Sequence, residues 1–484
     1  MFGILYRFKW SRLILNYIEL YFNNCCIHGF RYLVLTVLLI LERLLWLILL
    51  VVSVYFCIIS CLSSVDRFKH KSTHIGLERN YYHWNTSLPS ITVCPMQRLN
   101  ESLFSKYCRQ HGIREKFKIE LWNFLENLAN STYFNFDRIP VYDSIDSTLD
   151  QLNIHPEQYM ELIYNLTFDG TYEPIERQRI HCTDGQIHIG VRQVLTEYGI
   201  CYLSNSYLSE EYSSRYFIFG LYPEYNKYLH ANRFVQVKIG TFFEKDVGFT
   251  IMGFDTEAID TYMHSPFEVM KVDNNFGYTV EGTSYEPESE EITADANLEK
   301  EASISQRKCR FYHESNLTHF PIYTRNICQQ ECRLNLAYKI CRCIPHFYPN
   351  NIRNPKPVCN YRVLKSCFPK HASFFLKLYE EDSKHEEPAA CYCEQNCRDA
   401  VIKTKQPQAM RGTRQLLGSL GSSLLVNSWP RNRLKRQVIF SFTDLLVSIG
   451  GTAGLYLGFS VLGLVEFIYF FTLRLVWHMI GYKI

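Results

Sequence analysis

The sequence predicts a membrane protein in which two transmembrane helices flank a large, disulfide-rich α+β extracellular domain. Three observations carry the prediction: two apolar runs, at 44–65 and within 438–473, an even set of cysteines between them, and N-glycosylation sequons confined to the same interval. About 20 consecutive apolar residues suffice to cross a bilayer as a helix.

Residues 1–43 are expected to be a cytosolic N-terminus, because the uncharged run Leu44 to Val65 sits behind a long leader with no small-residue cleavage site, unlike a signal peptide. Two spans put both termini on one side, and 66–435 on the other. Cys94, Cys108, Cys182, Cys201, Cys309, Cys328, Cys332, Cys341, Cys343, Cys359, Cys367, Cys391, Cys393 and Cys397 suit an oxidising compartment, and the sequons at Asn85, Asn100, Asn130, Asn165 and Asn316 point the same way. The plasma membrane, crossed twice, follows as the location. Basic residues are divided: Arg7, Lys9, Arg12, Arg31 and Arg43 agree, whereas Arg431, Arg433, Lys435 and Arg436 crowd the outer edge of the second span. That basic string resembles a protease site but is expected to be an interfacial anchor. The formal charge of +3 selects no partner.

Within the extracellular part, Ser90-Ile91-Thr92-Val93-Cys94 reads as a strand ending on a cysteine, and Glu115 to Ala129 as an amphipathic helix, with Phe117, Leu121, Phe124, Leu125 and Leu128 at helical spacing. Short β-rich runs follow at Phe217-Ile218-Phe219, Val235 to Ile239, Phe249-Thr250-Ile251 and Phe267-Glu268-Val269. Glu281 to Glu301 is rich in carboxylates and poor in aliphatic anchors, which predicts a solvated linker rather than a cation-sensing cluster. It separates a sheet-rich part, 66–308, from a cysteine-dense part, 309–397, and 398–435 returns to the membrane. Asn326 is placed to cap a helix with Cys328 and Cys332 on one face. Zinc also suits Cys-x-Cys and Cys-x-x-x-Cys spacings, but an extracellular loop favours disulfides, whose connectivity spacing does not decide. There is no internal repeat, nucleic-acid motif, nucleophile elbow, His-Glu-x-x-His or phosphate loop, so neither an enzyme nor a cofactor is expected.

The second span carries Gly450, Gly454 and Gly458, then Ser460 and Glu466. An anchor needs none of these; small residues let helices approach closely, and a Gly-x-Ser break offers oxygens to a dehydrating ion. Asp444, Ser448 and Thr452 stack on one helical face, with Leu455 a step beyond, and they either line a water-filled path or hydrogen-bond a neighbouring helix. Residues 474–484 are expected to be a cytosolic C-terminus.

His28-Gly29, Glu42-Arg43-Leu44-Leu45-Trp46, Pro89 to Pro95, Gly199-Ile200-Cys201-Tyr202, Gln306-Arg307-Lys308-Cys309, Cys341-Arg342-Cys343-Ile344-Pro345, Cys391-x-Cys393-x-x-x-Cys397 and the glycine-rich span occur in an order that resembles the degenerin/epithelial sodium channel family, in particular its pickpocket branch. The resemblance implies a homo- or heterotrimer with related subunits, passing sodium ions through the lipid bilayer and blocked by amiloride-type compounds. It implies a selectivity filter at Gly458, Phe459 and Ser460, and pore-lining or gate positions at Asp444, Val447, Ser448, Gly451, Thr452 and Leu455. Glu466 would stand at the inner mouth, and His28 and Gly29 would form a gating motif. It also implies the bonds Cys94–Cys201, Cys309–Cys397, Cys328–Cys393, Cys332–Cys391, Cys341–Cys367 and Cys343–Cys359. Cys108 and Cys182 are then left as the remaining pair, with Cys25, Cys26, Cys57 and Cys61 reduced. Val447 is bulky where the best-known relatives carry a small residue, a change associated in the family with difficulty closing. The expected function is a voltage-independent, amiloride-sensitive, sodium-selective channel subunit gated by an extracellular chemical or mechanical stimulus. The alternatives are an ATP-gated-type trimeric two-span channel and a non-conducting accessory or receptor subunit.

Overall fold

A computed structural model describes residues 17–25, 27–35, 38–81, 84–167, 178–182, 185–189, 191–209, 212–213, 216–217, 236–238, 247–251, 259–270, 277–279, 283–285, 287–378, 391–404, 408–409, 422–426, 430 and 432–480. The chain divides into two units, one made of Met1–Ile75, Asp295–Arg307 and Arg436–Ile484, the other of Gly76–Ala294 and Lys308–Lys435.

The first unit holds the membrane helices. Ile40–His70 is one helix of 31 residues, with Cys57 its one buried residue among those described. At 1.5 Å per residue it is about 46 Å long, enough to cross the hydrocarbon core and continue beyond it. It packs along the helix Phe442–Leu457. Beyond the span, Gln306 Nε2 donates to Phe68 O at 3.0 Å, Ile439 N donates to Ser72 O at 2.9 Å, and the Arg67 guanidinium lies 4.8 Å from the Phe440 ring centre.

The second unit is built on a five-stranded antiparallel sheet ordered Gly277–Thr279, Ile259–His264, Ser90–Pro95, Gly199–Ser204, Val191–Thr196. Ile91 pairs with Ser204 and Val93 with Tyr202, so the register brings Cys94 opposite Cys201, where they bond with Cα atoms 4.4 Å apart. That spacing is that of a non-hydrogen-bonded antiparallel pair, the closest approach a ladder offers. A six-stranded sheet includes Val247–Ile251 between Ser422–Val426 and Gln178–Cys182. The predicted helix is present as Glu115–Ala129, with Leu121, Phe124, Leu125 and Leu128 buried. The helix Arg325–Cys341 presents Cys328 and Cys332 to Cys393 and Cys391, and Cys309–Cys397, Cys341–Cys367 and Cys343–Cys359 complete the staple.

Several expectations are corrected. The carboxylate-rich stretch is no solvated linker: Pro287–Ala294 is a strand paired with Asp399–Thr404, and Glu291 is buried, accepting from the Thr86 hydroxyl and from Ser87 N at 3.1 Å. Alternation leaves Glu290 exposed while Glu291, on the other face, finds donors. Tyr216–Phe217 is helical and Phe267 lies in a turn, so neither is a strand; Ile259–His264 takes the sheet position instead. Thr324, not Asn326, caps Arg325–Cys341, its hydroxyl accepting from Ile327 N at 3.2 Å, while Asn326 donates to Val269 O. Cys108 is a buried free thiol, so the Cys108–Cys182 bond is not formed. Asn130 is half-buried, its Nδ2 donating to Glu126 and its Oδ1 accepting from Arg98 Nε at 3.0 Å. Asn85, Asn165 and Asn316 are exposed. Arg433 is no headgroup anchor, since it pairs with Glu78 at 2.6 Å and its guanidinium lies 4.4 Å from the Trp84 ring centre; Arg436 is buried. Ile218, Phe219, Val235, Ile239, Glu286, Cys26 and the side chain of Cys182 lie outside the described residues.

His346 sits in the aromatic core of this unit, its Nε2 donating to Leu128 O at 3.1 Å. Burial pushes its pKa down to about 4, against the opposing pull of that carbonyl. The folded value lies below the unfolded value, about 6.5, so the unfolded chain takes up a proton first as pH falls. Stability should therefore drop between about pH 6.5 and 4, by up to about 3 kcal/mol. Thermal unfolding of the solubilised chain at stepped pH would show it, and His346→Gln, which keeps a donor but cannot titrate, should flatten that part of the profile.

Candidate functional site

The second apolar stretch is not one helix. Phe442–Leu457 ends on Gly458 in the left-handed conformation, φ 67°, and Val461–Tyr469 begins a new helix capped by Ser460, whose hydroxyl accepts from Gly463 N at 3.1 Å. Glycine reaches positive φ at no steric cost, and serine supplies the acceptor that a helix start lacks. Gly458 N and Phe459 N bond back to Gly454 O and Ala453 O at 2.9 and 3.3 Å. Gly458, Phe459 and Ser460 are therefore a capped interruption between two half-helices. Interrupted helices at membrane depth are tolerated where the backbone is packed by protein or lines water.

His28 and Gly29 lie at this break. His28 N donates to Leu457 O at 3.1 Å, and a Cβ built on Gly458 would stand 2.5 Å from His28 Nδ1. Gly29, φ 95°, caps the short helix Phe30–Val34, and a Cβ on it would meet Leu50 at 3.3 Å. Tyr32 stacks on Trp46 with ring centres 4.4 Å apart, holding the pre-span segment to the first span.

The six pore-lining candidates fall into two groups. Asp444 forms a capping box with Ser441, accepting from Ser441 N at 2.8 Å. The Ser448 hydroxyl meets the Ser64 hydroxyl of the first span at 2.9 Å, and Thr452 donates to Ser448 O at 2.7 Å. Ser448 thus makes the helix-to-helix hydrogen bond that was the alternative to a water-lined position. Val447, Gly451 and Leu455, four residues apart, form an exposed stripe, with Val447 74% and Leu455 81% exposed. Glu466 is half-buried on the second half-helix.

Ser64 was missed in the sequence, although Ser60, Ser63 and Ser64 in an otherwise apolar helix are a legible sign of a polar seam. Tyr17 and Tyr21 were also missed; their partners are 450 residues away in sequence, beyond the reach of any local pattern.

A family profile described as "Amiloride-sensitive sodium channel" matches residues 21–470. Pickpocket protein 28 of Drosophila melanogaster is 22% identical, over 94% of this chain and 78% of its own length. Sodium channel protein Nach of Drosophila ananassae is 24% identical over 36% of this chain, a match covering only 34% of that protein. The bile acid-sensitive ion channel of Mus musculus is 19% identical, over 91% of this chain and 84% of its own length. Among the described residues, two helices apolar enough to cross a membrane and six disulfides in the domain between them, together with a profile match over nearly the whole chain, place this protein among ion channels rather than enzymes: it belongs to the amiloride-sensitive sodium channel family.

Proposed function

We propose that this chain is a subunit of a voltage-independent, sodium-selective, amiloride-blocked channel of the plasma membrane. Three copies, alike or mixed with related subunits, surround the second span, with both termini cytosolic and the disulfide-stapled domain receiving an extracellular chemical or mechanical stimulus. The observation that carries the reading is the interruption at Gly458-Phe459-Ser460, because a helix that stops at Gly458 and restarts after Ser460 breaks the intrahelical carbonyl ladder inside an apolar span. Around a threefold axis, such carbonyls would replace the hydration shell of a small cation. Val447, Gly451 and Leu455 would face the axis on the outer side of that ring, and Glu466 would draw cations on the inner side.

Expression alone in oocytes, with sodium replacement and amiloride applied to the same cell, tests this. A surface-expressed chain that gives no amiloride-blocked current, alone or with any related subunit, would refute it.

The exposed Val447 gives a second test. Three valines at one level hinder close approach of the helices, so Val447→Gly is expected to favour closure. A bias of about 1.4 kcal/mol changes the open-to-closed ratio about tenfold, and standing current per surface channel should fall accordingly. Unchanged or larger current would remove Val447 from the gate.

A further inference from the structure

Near Phe470 the second span changes its winding: Phe470–Arg474 is a π-helical turn between Val461–Tyr469 and Leu475–Ile480. A π turn accommodates one extra residue and weakens local carbonyl pairing, and such turns cluster at functional sites. Here the turn is held from outside. The N-terminal helix 17–24 lies against it, and the Tyr17 hydroxyl donates to Phe470 O. Tyr21 meets Phe467, Phe470 and Phe471 edge-on at 6.1, 5.4 and 5.1 Å, and the Tyr17 ring lies 4.9 Å from His478. Tyr17, Tyr21 and Phe470 are buried together, with exposures of 5%, 6% and 2%, and Leu20, Phe22, Tyr469 and Leu475 pack partly buried around them.

We infer that Tyr17 and Tyr21 are positioning residues that hold the π turn of the second span, and through it set the rotation of the segment following Phe470. The Tyr21 ring supplies packing; the Tyr17 hydroxyl supplies the hydrogen bond that makes a π turn preferable to an ordinary α turn. Reverting the turn to α would rotate Leu475–Ile480 by about 100° and shift it by about 1.5 Å. The same N-terminal segment continues to His28, which bonds Leu457 O at the helix break, so one stretch of chain meets the second span both at the break and at the π turn.

Cysteine cross-linking tests the contact without requiring conduction, and so stands or falls separately from the channel reading. In a full-length chain with Cys25 and Cys26 replaced by serine, Tyr21→Cys with Phe471→Cys is expected to cross-link within one chain. Adding Tyr17→Phe should lower the yield about threefold, the effect of losing one neutral hydrogen bond. Bonding only between chains, no bonding, or a yield indifferent to Tyr17→Phe would overturn the inference. In conducting channels, Tyr17→Phe should move the sodium-to-potassium reversal potential while Tyr21→Phe, which keeps the ring, should not; identical potentials in both would reduce the contact to simple stabilisation.

Discussion

Gly458→Ala is expected to lower sodium current per surface channel by at least about tenfold, because two independent costs fall on one methyl group. The backbone at 458 has φ 67°, and a Cβ there would stand 2.5, 2.8 and 2.9 Å from three atoms of the His28 ring. A left-handed conformation costs a residue with a Cβ about 1–2 kcal/mol. The contact with the imidazole adds to this cost, since the His28 backbone is tied to Leu457 O and the ring must rotate out of its place beside the break to admit a methyl group. A double substitution separates the two. His28→Ala added to Gly458→Ala removes the collision but leaves the backbone strain, so it should restore part of the current. Wild-type current in Gly458→Ala alone would mean that the break does not govern conduction. Gly29→Ser should act in the same direction, because φ 95° at position 29 disfavours any side chain and Leu50 stands 3.3 Å from the added atom.

The other large effect belongs to the extracellular domain. Arg333, on the helix Arg325–Cys341, gives Nη1 to both carboxylate oxygens of Glu197 at 2.6 Å and Nε to Phe375 O at 2.8 Å. Tyr348 donates to the same carboxylate and meets the Tyr133 hydroxyl at 3.0 Å, inside a cluster with Phe136, Phe347, Phe368 and Phe375. The two charged side chains are 8% and 3% exposed. Removing one partner of such a pair leaves the other charge buried and uncompensated, at about 3–5 kcal/mol. Glu197→Gln or Arg333→Met should therefore lower the unfolding temperature and the surface abundance of the chain sharply. The combination Glu197→Leu with Arg333→Met should cost less than the sum of the single changes, because no lone charge remains. Additive losses would show that the pair is not coupled.

How much of this was legible in the sequence depends on the range of the interaction. The helix Glu115–Ala129 and the strand Ser90–Pro95 were readable because their apolar residues keep a helical or alternating period on one covered face. The interruption at 458–460 was readable as Gly-x-Ser, since glycine ends helices and serine starts them. By contrast, Pro287–Ala294 looked like a linker because its glutamates suggested full solvation. Only Thr86 and Ser87, some 200 residues earlier, show that Glu291 has donors waiting. Asn326 and Thr324 are both competent cap types, and the choice fell to Thr324 because the helix begins at Arg325, which leaves Asn326 inside the first turn with its amide donating to Val269 O.

By itself, the sequence determined two apolar spans, an oxidised domain between them, and a glycine–serine break in the second span, because hydropathy, cysteine content and backbone freedom are properties of residues and their near neighbours. The tertiary structure decided which polar groups meet: Ser448 with Ser64, His28 with the helix break, Tyr17 with the π turn, and Arg333 with Glu197. Each of these is a contact between segments far apart in the chain, and its geometry exists only after packing has excluded water and set the distances. No periodicity encodes them, because the free energy of each hydrogen bond or ion pair depends on the partner and the burial that folding supplies.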